Sequence, residues 1–373
     1  MPEVVKTAEF VETKFVSFFH ENPLELQGGG FLSPVTVAYE TYGKLNALGT
    51  NAILVCHALT ANAHAAGYHQ GEPQPGWWDG LIGPGKALDT DRFFVVCPNI
   101  LGSCYGTTGP SSMNPKTGRP YCADFPAITV RDIVRVQKEL LDFLRVQKLA
   151  TVIGSSLGGM QVLEWAIMYP EFCETIIPIS TSARQSAWCI GLNAAARAAI
   201  MGDPQWDNGN YDEQPETGLS VARMIGMLSY RSPDELKERF GRKQKNEDGG
   251  YFDDKNIFQV ESYLRHQGKK LAERFDANTY LVLSRAMDWH DVTFGRGDLA
   301  SVLGKISLPV LAIGVSSDIR YPIIEQKELV QFIPNARYAE INSIHGHDAF
   351  LIEFDQLNNM ISEFFTTSIR GRL

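Results

Sequence analysis

The strongest constraint on the fold is a series of short apolar runs that recur along most of the chain. Each run is continuously hydrophobic rather than alternating, which is typical of strands covered on both faces in a parallel sheet. Segments with helical spacing follow some of these runs, at 129–147, with Thr129 as a plausible N-cap, and at 159–172. This alternation predicts an α/β fold with a mostly parallel sheet. The apolar runs are 51–59, 92–101, 149–156, 174–181, 308–317 and 336–342.

The alternation breaks down between residues 183 and 300. This segment is rich in helix-forming residues separated by polar, glycine-rich stretches, and the run at 308–317 then resumes the earlier pattern. We therefore expect a core domain formed by 1–182 and 301–373, with a helical lid insertion over 183–300. A chain of 373 residues, 44% of them hydrophobic, is long enough for this organisation.

Charge and cysteine usage argue against several classes of partner. The 34 basic and 43 acidic residues give a net charge of −9, which disfavours a nucleic-acid or anionic-membrane surface but is compatible with a local basic pocket. The six cysteines are scattered without a CxxC pair, as in reduced proteins. We find no signal-peptide pattern and no apolar run long enough to span a membrane. We expect a cytoplasmic protein without nucleic-acid or membrane partners.

The segment GSSLGG at 154–159 contains the candidate nucleophile. The pattern G-x-S-x-G fits Gly154, Ser156 and Gly158, whereas the same pattern centred on Ser155 would need glycine where Ile153 stands. An apolar run precedes the segment and a helical pattern follows it, which is the context of a nucleophile on a sharp strand-to-helix turn. We therefore predict that Ser156 is the nucleophile.

A serine hydroxyl needs a base to remove its proton, and the order Ser, acid, His is that of the α/β hydrolases. Asp318 follows the apolar run at 308–317 and is the candidate acid. His345 and His347 both follow the last strand-like run. His347 is favoured because it lies in a Gly-His-Asp turn before an apolar helix start.

An oxyanion hole requires two backbone N–H donors. One is predicted at Leu157, directly after the nucleophile, and the other near Leu59, in the loop after the run at 51–59. His57 and His64 in that loop are interpreted as packing residues.

A metal site is not expected. The HGHD segment differs by one residue from the H-x-H-x-D pattern of binuclear metallohydrolases. His57, His64 and His69 have no cysteine or carboxylate partner at motif spacing.

Long motifs in this chain resemble the homoserine O-acyltransferases of the α/β-hydrolase superfamily, which act in methionine biosynthesis. The resemblance runs almost from end to end. Its motifs are VAYETYGKLN (37–46), CHALTANAHAAG (56–67), WWDGLIGPGKALDT (77–90), GTTGPSSMNP (106–115), GSSLGGMQVLEWA (154–166), ARMIGMLSYRS (222–232), RFDANTYLVLSRAMD (274–288) and GHDAFL (346–351).

The resemblance implies a ping-pong transfer of an acyl group from acyl-CoA, through Ser156, to the side-chain hydroxyl of L-homoserine. It further implies that Arg223 pairs with the substrate carboxylate, Asp348 with its ammonium, and that Tyr230 lines this pocket. The residues alone favour a different interpretation, with Arg223 as a surface charge of a helix and Asp348 as a cap for the following helix. A homodimer, and no permanently bound cofactor, are also implied.

The identity of the acyl group depends on Arg320. Acetyl-transferring relatives often have leucine at this position, whereas succinyl-transferring relatives tend to have arginine, which could pair with the distal carboxylate of succinyl-CoA. Arg320 could instead face solvent or brace Asp318. Acetyl-CoA is the expected donor because acetyl transfer is the commonest activity of the family. Succinyl transfer is the alternative, followed by a serine O-acyltransferase or a serine esterase.

The chain departs from the family pattern at two places. The turn that carries Ser156 reads GSSLGG where relatives often have GGSMGG. Tyr105 stands where relatives often have a longer polar side chain.

Overall fold

A computed structural model describes residues 10–246, 252, 253 and 255–368. The central element is an eight-stranded sheet with the strand order β1-β2-β4-β3-β5-β6-β7-β8. Strand β2 pairs antiparallel with β1 and with β4, and all remaining pairs are parallel. The predicted mostly parallel α/β sheet is confirmed. Its strands are β1 (Lys14–Phe18), β2 (Val35–Tyr42), β3 (Ala52–Cys56), β4 (Phe94–Pro98), β5 (Leu149–Ser155), β6 (Ile176–Ile179), β7 (Val310–Val315) and β8 (Ala336–Ile341).

The helices cover both faces of the sheet and also fill the segment between β6 and β7. Helix α1 follows β4, and Thr129 caps it through a capping box with Asp132, as the N-cap prediction required. Helix α2 begins at Leu157, two residues earlier than the sequence pattern indicated. The helices are α1 (Val130–Phe143), α2 (Leu157–Met168), α3 (Ala187–Met201), α4 (Glu216–Tyr230), α5 (Pro233–Phe240), α6 (Gln259–Ala272), α7 (Ala277–Asp288), α8 (Leu299–Leu303), α9 (Ile323–Phe332) and α10 (Phe354–Ser368).

Two apolar cores lie on opposite faces of the sheet because its strands alternate side chains between the faces. Leu54 and Val152 face the core that contains α1 and α2. Ile53 and Ile153 face the core that contains α10. The continuous hydrophobicity of the parallel strands therefore reflects burial on both sides.

Helices α3 to α7 fall within the segment expected to form the lid, and α8 crosses its expected end at residue 300. The division into a core and a lid insertion stays a prediction. No helix in the described part of the chain is both long and apolar enough to span a membrane.

Candidate active site

The turn between β5 and α2 holds Ser156 in a left-handed backbone conformation, with φ 56° and ψ −122°. Such a conformation is strained for a residue with a side chain, and strain of this kind is characteristic of functional turns. The Ser156 N–H donates to the carbonyl of Ile179 across 3.0 Å, which ties the turn to β6. Ser155, by contrast, is the last residue of β5 and is completely buried.

The glycines of the turn are required by close packing against β3. A Cβ atom added at Gly154 would lie 2.6 Å from the Cys56 carbonyl oxygen, and one added at Gly158 would lie 2.0 Å from the same atom. Neither distance is compatible with a side chain. The sequence pattern G-x-S-x-G is therefore explained by the approach of two backbone segments.

Asp318 and His347 meet beside this turn, as the sequence order predicts. Asp318 follows β7, and His347 lies in a 3₁₀ turn, Gly346–Leu351, after β8. The His347 Nδ1 atom lies 2.7 Å from Asp318 Oδ2, and both side chains are buried. His345 lies instead 3.5 Å from Glu235 Oε1. The geometry favours His347 over His345 as the base.

The second oxygen of Asp318 is held by the backbone. Its Oδ1 atom accepts hydrogen bonds from the N–H groups of Arg320, at 2.8 Å, and Tyr321, at 2.9 Å. With Oδ2 bonded to His347, the carboxylate keeps Nδ1 protonated and leaves Nε2 available as a base.

Ser156 and His347 line one cavity of about 570 Å³. No hydrogen bond joins their side chains among the residues that the structure describes, and such bonds are commonly loose before substrate binds. The His347 ring packs between aromatic side chains, with centroid distances of 5.9 Å to Tyr230, 5.3 Å to Tyr321 and 5.3 Å to Phe350. These contacts restrict the ring to the cavity wall.

The two predicted oxyanion donors lie at the same cavity. Leu157 is the first residue of α2, so its N–H has no acceptor within the helix. Leu59 lines the cavity from the loop after β3. Their roles as donors stay a prediction.

His57 is bonded on both ring nitrogens to the backbone. Nδ1 donates to the Ala58 carbonyl at 2.8 Å, and Nε2 accepts from the Ile100 N–H at 3.1 Å. Complete burial lowers the pKa of His57 to about 4, so the ring is neutral at physiological pH. The interpretation of His57 as a packing residue agrees with these contacts.

His64 and His69 converge on a carboxylate that sequence spacing did not reveal. Glu40, completely buried on β2, has one oxygen 3.0 Å from His64 Nδ1 and the other 2.8 Å from His69 Nε2. Thr13 and Tyr42 also donate to it, at 2.8 and 2.9 Å. The ligand atoms of Glu40, His64 and His69 lie within 4.8 Å of one another, which is compatible with a metal ion. The carboxylate already has four hydrogen-bonding partners without a metal, whereas the buried Nε2 atom of His64 has no partner in the described part of the chain.

Arg223, Tyr230 and Asp348 line the cavity that contains Ser156. The Arg223 guanidinium carbon lies 5.2 Å from the centroid of the Tyr230 ring, and Arg223 forms no ion pair within the described residues. Asp348 lies 3.2 Å from Arg231, a partner that the sequence analysis missed. Burial raises the pKa of Asp348, and the charge of Arg231 opposes this shift.

Arg320 is buried, with 2% of its surface exposed, so the alternative that it faces solvent is wrong. Its guanidinium donates to Ser229 Oγ at 3.0 Å and to Asn193 Oδ1 at 2.8 Å, and it lies 5.3 Å from the Tyr230 ring centroid. Arg320 also lines the cavity, and it has no carboxylate partner in the described part of the chain. Helices α3 and α4 supply its neighbours, which the sequence alone did not indicate.

Comparisons with known proteins agree with this geometry. A family profile described as the alpha/beta hydrolase fold matches residues 51–353. A homoserine O-acetyltransferase of Moorella thermoacetica is 53% identical over 348 residues, covering 91% of this chain and 93% of that protein.

Two solved structures superpose closely on this chain. The crystal structure of homoserine O-acetyltransferase from Bacillus anthracis has a TM-score of 0.89 and 32% identity, and the match covers 95% of this chain and 98% of that one. The crystal structure of esterase E22 has a TM-score of 0.87 and 32% identity, and covers 95% of this chain and 100% of that one. The profile match and the extended sequence identity together show that this chain belongs to the homoserine O-acetyltransferase family, within the α/β-hydrolase superfamily.

Proposed function

We propose that this protein transfers the acetyl group of acetyl-CoA to the side-chain hydroxyl of L-homoserine, as a step of methionine biosynthesis. The observation that carries the proposal is that Ser156 and His347 share one cavity with Arg223 and Asp348, a cation and an anion suited to an α-amino acid. A triad alone supports acyl chemistry, whereas the charged pair specifies the acceptor.

In the first half-reaction, His347 Nε2 takes the proton of Ser156 Oγ as the hydroxyl attacks the thioester carbonyl. The N–H groups of Leu157 and Leu59 donate hydrogen bonds to the carbonyl oxygen and stabilise the negative charge that forms on it. The C–S bond then breaks, and His347 gives its proton to the leaving thiolate. CoA departs as the thiol and leaves acetyl-Ser156.

In the second half-reaction, L-homoserine occupies the charged part of the cavity. Arg223 binds its carboxylate through two N–H groups, and Asp348 binds its ammonium. The homoserine hydroxyl gives its proton to His347 and attacks the acetyl carbonyl. Collapse of the intermediate breaks the bond to Ser156, which recovers its proton from His347.

Hydrolysis competes with this second step, because water can attack the same acyl-enzyme. The similarity to esterase E22, at 32% identity, underlines that this fold also carries ester hydrolysis. We propose that the helical insertion over 183–300 acts as a lid that limits water, and that Arg223 and Asp348 favour homoserine by positioning it. We further propose that the protein is cytoplasmic and forms a homodimer.

Arg320 supports a second candidate, transfer of a succinyl group from succinyl-CoA. A buried guanidinium without a carboxylate partner, on the wall of the cavity, suits the distal carboxylate of a succinyl donor. Its bonds to Ser229 and Asn193 satisfy two N–H groups without neutralising the charge.

Thiol release with each donor tests both candidates. Release from acetyl-CoA should accelerate with L-homoserine, more than with L-serine, and should be lost in Ser156→Ala. Arg223→Met should raise the KM for homoserine by about a hundredfold, because it removes a bidentate charged contact. A preference for succinyl-CoA that reverts in Arg320→Leu would establish the second candidate. No acceleration by homoserine with either donor would overturn both.

A further inference from the structure

We propose that Lys270 and Arg274, at the mouth of the active-site cavity, bind phosphate groups of the CoA donor. This inference rests on the proposed use of an acyl-CoA. Both side chains line the cavity that contains Ser156, and both residues are exposed. The phosphates lie at the far end of the pantetheine arm, so they reach the mouth or the outer surface when the acyl carbon is at Ser156.

Arg274 is held in place by the opposite wall. Its Nη1 atom donates to the Thr60 carbonyl at 3.0 Å and to the Tyr105 hydroxyl at 2.5 Å. The remaining guanidinium N–H groups have no partner in the described part of the chain. An arginine fixed on one edge and open on the other is suited to a phosphate, because less side-chain entropy is lost on binding.

Lys270 has no ion pair or hydrogen bond within the described residues. The neighbouring carboxylates are occupied, since Glu273 lies 3.8 Å from Lys269 and Asp276 accepts from Tyr211 and Thr279. Lys270 lies in the last turn of α6, where a cation is also favoured by the helix dipole. The helix dipole does not explain Arg274, which lies beyond the helix end and is bonded across the mouth.

The charge distribution supports an anionic ligand at this place. The whole chain carries −9, whereas the cavity lining contains Lys270 and Arg274 together with Arg223 and Arg320, against one carboxylate, that of Asp348. A cleft with one sign of charge concentrates field lines and attracts ligands of the opposite sign. A small neutral ester would gain nothing from the outer two cations, whereas CoA would.

The test compares acetyl-CoA with S-acetylpantetheine, which keeps the thioester and lacks every phosphate. The ratio of interest is kcat/KM for acetyl-CoA divided by kcat/KM for S-acetylpantetheine. We expect Lys270→Ala and Arg274→Ala each to lower this ratio by about tenfold, because each raises the KM for acetyl-CoA. The double variant should lower it by about a hundredfold. Lys305→Ala is the control, because Lys305 is an exposed lysine that does not line the cavity, and it should leave the ratio unchanged. The wild-type KM for acetyl-CoA should also rise with salt more steeply than that of the double variant.

An equal loss with both donors would overturn the proposal, because the residues would then shape the cavity rather than bind phosphate. No loss with either donor would also overturn it. Binding of CoA itself, measured by calorimetry, separates this result from failure of the proposed function. The protein could fail to acylate homoserine and still bind CoA more weakly in the double variant. That result would support the phosphate site and contradict homoserine as the acceptor.

Discussion

The carboxylate of Asp318 divides its two oxygens between His347 and the backbone. Oδ2 lies 2.7 Å from His347 Nδ1, while Oδ1 accepts hydrogen bonds from the backbone N–H groups of Arg320 and Tyr321. The backbone bonds fix the carboxylate, and the fixed carboxylate sets the tautomer of the imidazole. Two loops that follow neighbouring strands, β7 and β8, therefore leave His347 Nε2 free for its proposed role as the base.

Replacement of Asp318 by asparagine should disable this arrangement with little change in shape. We expect kcat/KM to fall by about a thousandfold or more, because the amide no longer selects the correct tautomer or stabilises the imidazolium. Asp298→Asn, at the exposed cap of α8, is the matched control and should retain activity. An Asp318→Asn enzyme within about tenfold of wild type would contradict the assigned role.

The turn that carries Ser156 should not accept a side chain at Gly158. A Cβ atom there would lie 2.0 Å from the Cys56 carbonyl oxygen, so Gly158→Ala should lower stability by about 3 kcal/mol or more and abolish activity. Gly191→Ala in α3 is the comparison, because a Cβ atom there meets nothing within 4 Å. It should be neutral or stabilising by up to about 1 kcal/mol. Thermal unfolding of both variants measures the difference, and similar melting temperatures would refute the packing argument.

Glu325 on α9 should make stability depend on pH. Burial, together with the charge of Asp318, raises the pKa of Glu325 from 4.5 to about 7. The folded state thus holds a proton that the unfolded state has released, and stability falls as pH rises from about 4.5 to 7.

Glu325→Gln removes this dependence. The variant should match wild type near about pH 5 and exceed it near about pH 8, by about 1 kcal/mol after allowance for partial solvent exposure. Melting temperatures of both proteins across this range provide the measurement. A difference in melting temperature between the two proteins that stays constant, or that shrinks as pH rises, would contradict the buried environment assigned to Glu325.

The network around Glu40 should secure the loop that carries Leu59. Burial alone would raise the pKa of Glu40, but hydrogen bonds from His64, His69, Thr13 and Tyr42 outweigh it and hold the pKa below its usual value. Glu40→Gln should therefore lower the melting temperature by several degrees and kcat by about tenfold, because a displaced loop misplaces the oxyanion donor. Glu72→Gln, at an exposed carboxylate 3.5 Å from His69, is the control.

The same network separates a hydrogen-bonding role from a metal site. Dialysis of the wild type against a chelator should leave activity and melting temperature unchanged, as expected for a serine mechanism. A loss of activity or a lower melting temperature, restored by adding zinc, would show that Glu40, His64 and His69 hold a metal. That result would contradict the expectation that the protein has no metal site.

The sequence predicted the parallel strands and the residues at their carboxyl ends because both leave local signals. Continuous apolar runs mark strands buried on two faces, and Ser156, Asp318 and His347 follow three of them in the order of the fold. Strand β2 was missed because its apolar residues are mixed with Thr36 and the buried Glu40, whose polarity is typical of exposed segments.

The remaining contacts depend on packing between distant segments. Glu40 meets His64 and His69 because the long loop after β3 returns to β2, although β4 lies between these two strands in the sheet. Arg320 contacts Asn193 and Ser229 only because α3 and α4 pack against the loop after β7. Helical periodicity predicts the length of a helix. It does not predict where a helix within a long insertion packs against the rest of the protein.

Covalent capture of the acyl-enzyme tests the central claim most directly. The protein is mixed with acetyl-CoA without acceptor, quenched, digested and examined by tandem mass spectrometry, before and after a chase with L-homoserine. We predict one acetyl group on Ser156, absent in Ser156→Ala, that is removed by homoserine faster than by water and appears as O-acetylhomoserine. An acetyl group on another residue, or an acetyl-Ser156 that homoserine removes no faster than water does, would contradict the account.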